Sequence, residues 1–218
     1  MNTRRWIGFI DKETASALTL LYSYMAFYEA ISDEAYAEKA NLVPQFWMAH
    51  TASLQHTLFI YLGRLSDDTP DGKSFTDFRN HCFRHLEDFS EESFRERRSD
   101  ALVINPHYLD EKDFPEEKEF AALFSLASDF NKFLRKECKT IRSKVYAHAI
   151  LTDDYEYQFL FEKVDLKTIE EALVTMWSIN RNIWECFQNA RPLKSTVLEY
   201  TERDRIYRQT RQVIEGVT

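Results

Sequence analysis

The chain has 218 residues, 44% of them hydrophobic, enough to bury one good core in a single domain or, as a second choice, in two small ones. With only 4 Gly and 5 Pro it lacks the turn residues of a β-sandwich or barrel, so an all-α fold is expected. The net charge of −8 excludes any global attraction for phosphate backbones, so a nucleic-acid role must rest on a local basic patch.

In chain order, Arg4-Arg5-Trp6 reads as a lead-in, and Asp11 can cap a first helix running to about Ile31. Its apolar positions Leu18, Leu21, Tyr22 and Met25 follow helical spacing. Its other faces also carry Ala, Leu, Tyr and Phe, which predicts cover on more than one side. Ser32-Asp33-Glu34 marks a break, and Ala35 to Ala40 adds a turn or two. Pro44 opens a second long helix, where its missing N–H costs little, and the pattern runs through Leu54, Leu58 and Leu62 to Leu65. The cluster Ser66 to Gly72 is the clearest loop; its three aspartates lack calcium-loop spacing and read as solvated. A shorter helix begins at Ser74 or Phe75, with Phe75, Phe78, Cys82, Leu86 and Phe89 on one face. His81 and His85, four apart within it, have the spacing to share a metal but no third ligand, and read as half-buried or surface histidines.

Glu91 to Ser99 reads as a solvated helix or its frayed end, and residues 100–117, with Pro106 and Pro115, as an irregular connector. A third long helix is predicted from about Glu116 to His148, with Phe120, Phe124, Ala127, Leu134, Cys138, Ile141 and Val145 on one apolar stripe. The next stripe position holds His148. Arg142 sits about 100° round the helix from Ile141, on the flank of that stripe. Tyr155 to Val164 alternates weakly, as a short extended piece or a poorly patterned link. Asp165 then caps a fourth long helix that stops before Pro192. The last segment, about 201–215, places Arg203, Arg205, Arg208 and Arg211 in a loosely helical array. It can be a solvated tail helix balanced by neighbouring acids, a dimer-packing arm or a basic patch for RNA. Cys82, Cys138 and Cys186 read as reduced core residues. No stretch is apolar enough to cross a bilayer, and Met1 to Ile10 lacks a signal-peptide core, so a cytoplasmic location is expected. No glycine-rich phosphate loop, metal set or nucleophile elbow points to a cofactor or metal.

Arg142-Ser143-Lys144-Val145-Tyr146-Ala147-His148 resembles the arginine, polar residue, further residues, histidine signature of the HEPN superfamily of helical bundles. Within it the local wording is similar to the AbiU-like abortive-infection group, as is Gly63-Arg64-Leu65-Ser66-Asp67 at the end of the second long helix. Ser143 stands where Asn, Asp or His is commoner in the superfamily. A second match to the bare pattern, Arg79-Asn80-His81-Cys82-Phe83-Arg84-His85, lies in the shorter helix.

The resemblance implies one HEPN-like domain over residues 1–218: an antiparallel four-helix-bundle core with an inserted short helix and a C-terminal helix. It implies a metal-independent endoribonuclease or toxin of phage defence, with Arg142 and His148 as catalytic residues and Ser143 and Lys144 contacting the substrate. A homodimer is implied with both pairs at one cleft, RNA as substrate, a 2′,3′-cyclic phosphate product and an antitoxin as a further partner. The alternatives are a non-catalytic HEPN module that binds a protein or nucleotide, and the regulatory half of a toxin–antitoxin pair. Chemically the pair suits RNA cleavage. An imidazole titrates near pH 6.5 and can move a proton, while a guanidinium stays charged and holds phosphate oxygens. Six residues on a regular helix set the two about 120° apart, so a two-fold axis at this helix end would let two subunits complement each other.

Overall fold

The longest helix, α1, spans Thr3–Ala30 in the computed structural model, which describes residues 1–69, 72–99, 106–138, 141 and 164–217. It starts eight residues before the expected cap at Asp11. Asn2 is the cap, its side chain accepting from the Arg5 N–H. The reason lies in the apolar rhythm: Trp6, Ile7 and Ile10 are buried on the same stripe as Ala17, Leu18 and Leu21, so the packing face begins in the first turn and carries the helix with it.

Asp33 accepts from the Ala35 N–H and caps α2 (Glu34–Ala40). Helix α3 (Pro44–Leu65) carries its proline in the first turn, as expected. Ser74 and Asp77 form a reciprocal capping box at the head of α4 (Phe75–Arg84). A 3₁₀ turn at Leu86–Phe89, α5 (Glu91–Arg97) and a second 3₁₀ turn at Pro106–Leu109 follow. Helix α4 is the expected inserted short helix, and α5 falls within the segment Glu91 to Ser99 read as helical.

The expected unbroken third helix is interrupted. Helix α6 (Glu117–Ser125) ends in a tight turn in which the Leu126 and Ala127 N–H groups bond back three residues, to Leu123 and Phe124. Helix α7 (Ser128–Phe133) then passes into a π-helical turn, Leu134–Cys138. The stripe survives the break. Phe120, Leu123, Phe124, Ala127, Leu134, Cys138 and Ile141 are all buried in the main core. The wider π turn lets Leu134 and Cys138, one turn apart, both meet that core.

Helix α8 (Leu166–Asn189) is capped by Asp165, which accepts from the Lys167 and Thr168 N–H groups. It closes on Ala190 in the left-handed region, φ 46°, ahead of Pro192. Helix α9 (Arg203–Glu215) is last. Among the described residues there is no strand.

Helix α1 is the hub, packed against α3, α8, α9 and α4. Phe27 stacks on Trp47 near one end while Glu13 pairs with Arg64 near the other, so α1 and α3 run antiparallel. Tyr22 lies beneath Arg203 and Glu29 pairs with Arg211, so α9 runs parallel to α1. Lys39 of α2 donates to the Glu215 carbonyl, placing a cation at the negative end of α9. A small second core of Phe27, Ala30, Ala40, Trp47 and Ile214 seals that end of the bundle.

Candidate functional site

The structure builds the approach to the predicted motif. The buried stripe runs from Phe120 through Cys138 to Ile141, which is helical and 1% exposed. Arg142, Ser143, Lys144 and His148, the predicted catalytic and substrate-contacting residues, lie outside the described residues. So does the weakly alternating stretch up to residue 163.

The second arginine–histidine match is described, and its two ends do not meet in one cleft. Arg79 is exposed. Its guanidinium lies 4.9 Å from the Phe83 ring centre and reaches the neighbouring Asn80 Oδ1 at 3.3 Å. The cleft it lines has no histidine in its wall among the described residues. His85 points elsewhere, its Nδ1 3.1 Å from Glu87 Oε1.

His81, expected at or near the surface, is 6% exposed, covered by Trp6, whose ring centre is 5.9 Å away. Its Nε2 is 2.8 Å from the Thr3 hydroxyl. That hydroxyl donates to Asp88, so His81 must donate through Nε2, which fixes its tautomer. Burial holds the His81 pKa below its ordinary value. The His85 ring, 4.4 Å away, adds to that effect, and Asp88 opposes it. A neutral imidazole that ties the first turn of α1 to α4 serves packing rather than proton transfer.

At the end of α3, Arg64 reaches across to α1. Its Nη2 donates to Glu13 Oε1 at 2.8 Å, and the guanidinium lies near the Phe9 and Tyr61 rings. The Glu13 side chain is 3% exposed, and its Oε2 is buried without a hydrogen-bond partner among the described residues. Burial raises the Glu13 pKa, with Arg64 opposing the rise. Arg64 therefore holds the first and second long helices together at the family-like Gly63–Asp67 stretch.

The α9 arginines are mostly neutralised. Arg203 pairs with Glu170 at 3.2 Å, Arg205 with Glu202, and Arg211 with Glu29 at 2.9 Å. The expectation of a solvated tail helix balanced by neighbouring acids is corrected: the helix is docked on α1, and of its three acid partners only Glu202 is a neighbour in the sequence. The acids from other helices, Glu170 and Glu29, were not legible in the local sequence.

A feature that sequence reasoning missed is a cleft of about 460 Å³ between α4 and the α6–α7 stretch, lined by Thr76, Arg79, Ser128, Asn131, Lys132 and Arg135 among others. Its cations come from three separate helical pieces, so no sequence window displays them together. The cysteine thiols offer no chemistry: all three are buried and free, and burial pushes Cys138 and Cys186 up to about 12. Among the described residues no group of three or more His, Cys, Asp or Glu side chains is arranged to hold a metal ion. Nor is any described helix long and apolar enough to cross a membrane.

Comparison with known families decides the kinship. The AbiU2 model of the HEPN group matches residues 2–208, nearly the whole length. The chain belongs to the HEPN AbiU2 family. No curated protein and no solved structure matches it. As a HEPN AbiU2 protein it is abortive-infection-related. The two stretches that first suggested the likeness, Gly63–Asp67 and Arg142–His148, both fall within the matched span.

Proposed function

We propose that this HEPN AbiU2 protein is a metal-independent endoribonuclease of phage defence, acting in the cytoplasm as a homodimer and held in check by an antitoxin partner. The observation that carries the reading is the run of buried stripe residues through Ile141, whose next slots fall on Val145 and His148 inside the family match. An imidazole in that rhythm, complemented across a two-fold axis by Arg142 of the partner subunit, is the arrangement an acid–base nuclease needs. His148 takes the proton of the ribose 2′-hydroxyl. The 2′-oxygen bonds to phosphorus, the bond from phosphorus to the 5′-oxygen breaks, and a protonated imidazole returns a proton to that leaving oxygen. The product ends are a 2′,3′-cyclic phosphate and a 5′-hydroxyl. Arg142 holds the phosphate oxygens as charge builds, and Ser143 and Lys144 steady the strand. Positioned proton transfer contributes roughly 10²- to 10⁴-fold and an aimed charge donor about 10²- to 10³-fold.

The test is cleavage of an RNA pool in EDTA by the full chain. Wild type should cut and leave cyclic phosphates, while His148→Ala should not, with both folded and of the same assembly size. Activity that survives His148→Ala and is lost in His85→Ala would move the chemistry to α4. A wild type that cuts no RNA supports the rival, a non-catalytic HEPN binding module or the regulatory half of a pair.

A further inference from the structure

We propose that the cleft between α4 and the α6–α7 stretch is a phosphate-binding subsite for the backbone of a single-stranded RNA. The class of ligand rests on the RNA-directed reading above; the cleft itself is argued from its own side chains. It takes Arg79 from α4, Lys132 from α7 and Arg135 from the π turn. Six arginines of this acidic chain are paired with carboxylates: Arg64, Arg95, Arg191, Arg203, Arg205 and Arg211. Arg79 and Arg135 have none among the described residues. Arg79 rests on Phe83 and an amide oxygen. Arg135 donates through Nη2 to the Thr76 hydroxyl at 3.0 Å. Lys132 at the rim is shared with Asp129 at 2.9 Å, an exposed pair that contributes little.

Two further observations bear on the cleft. An oxyanion entering it meets the exposed Arg79 side chain and the part of Arg135 that is not buried. The backbone beneath Arg135 is also the π-helical turn, a distortion that clusters at functional positions. Position along the chain favours RNA over an acidic peptide. Arg135 precedes Arg142 by seven residues, a span of at most about 25 Å even when fully extended. A strand held at the cleft therefore passes within a few nucleotides of the cutting motif.

The test is binding of a fluorescein-labelled, mixed-sequence single-stranded RNA by the full-length His148→Ala chain, which removes turnover from the measurement. Adding Arg79→Gln and Arg135→Gln should weaken binding about tenfold or more at physiological salt. It should also flatten the salt dependence by roughly 0.7 for each phosphate no longer held. Arg191→Gln with Arg205→Gln removes the same charge from paired arginines and should leave binding nearly unchanged. Because Arg135 is partly buried, the exposed pair Arg79→Gln with Lys132→Gln provides a second variant, with thermal melting to verify its fold. Equal weakening by the cleft and control pairs, no weakening by either cleft pair, or no RNA binding by the parent chain each overturns the subsite. Weakened binding by the cleft variants of a chain whose wild type cuts no RNA leaves the subsite standing and removes the nuclease. Normal binding and cutting by the cleft variants does the reverse.

Discussion

Replacing Arg64 with Met isolates the electrostatic link between α3 and α1, because Met keeps most of the stem that lies beside Phe9 and Tyr61. The pair is lopsided: the Glu13 side chain is 3% exposed and that of Arg64 47%. Unit charges about 4 Å apart attract by about 4 kcal/mol at an effective dielectric near 20; with one partner half in water, about half of that is a fair share. Removing the guanidinium from the two rings adds about 1 kcal/mol. Arg64→Met should therefore cost about 3 kcal/mol near pH 8.

The cost is not constant, because the stranded Glu13 has another way out. Burial already raises its pKa above 4.5, and losing Arg64 raises it further. A group with a raised folded pKa contributes stability that is full below its unfolded pKa and is lost as pH rises through the folded one. As pH falls, Glu13 of the variant takes up its proton before wild type does, recovering up to about 1.4 kcal/mol per unit of extra pKa rise. Urea unfolding should then show a smaller penalty at pH 5 than at pH 8. In a Glu13→Gln background Arg64→Met should cost only the ring stacking at either pH. A penalty as large at pH 5 as at pH 8 would refute the buried-anion account of Glu13.

Three further outcomes follow from the same geometry. His81→Gln keeps a donor for Thr3 while removing titration. The folded pKa of His81 is depressed, so wild type should lose stability as pH falls below about 6.5 toward that lower value, and the variant should lose less over that window by chemical denaturation. Ile141→Ala, at a position 1% exposed at the end of the stripe, should cost about 2–4 kcal/mol in urea melts; a cost under about 1 kcal/mol would mean the stripe is not anchored there. Asp165→Ala removes a cap that serves two N–H groups and should cost about 1 kcal/mol, with helical circular dichroism at low temperature retained.

The parts of the fold that were legible in the sequence are those dictated locally. Pro44, the Ser74–Asp77 box and Asp165 each mark a helix start by chemistry contained within a single turn. The apolar stripe from Phe120 to Ile141 predicted burial correctly at every described position, even though its helix is broken. Periodicity reports which side faces the core, and a tight turn followed by a π turn keeps that side while shifting the backbone hydrogen bonds. What escaped was set across the chain. Asp11 looked like a cap because the buried partners of Trp6 come from α4, some seventy residues on, where Phe78 and His81 lie against its ring. His81 looked half-exposed because its cover, Thr3 and Trp6, belongs to another helix. The family motif was legible from its wording alone, whereas the α4–α7 cleft needed three elements brought together.

Charge shows the same division between totals and placement. A net charge of −8 argues against a nucleic-acid partner only if positive charge is spread evenly, and here it is not. The arginines of α9, the most conspicuous basic run in the sequence, are largely cancelled by Glu29, Glu170 and Glu202. They stabilise the docking of α9 on α1 and offer little to a phosphate. Arg79 and Arg135, inconspicuous in the sequence, keep their charge because no described acid faces them across the α4–α7 cleft. On the proposed reading, a chain of net charge −8 meets RNA chiefly through the cations of that cleft. That makes binding weak in general and strongly dependent on those few side chains. Removing two cleft charges should therefore matter far more than removing two from α9, though the net charge falls equally.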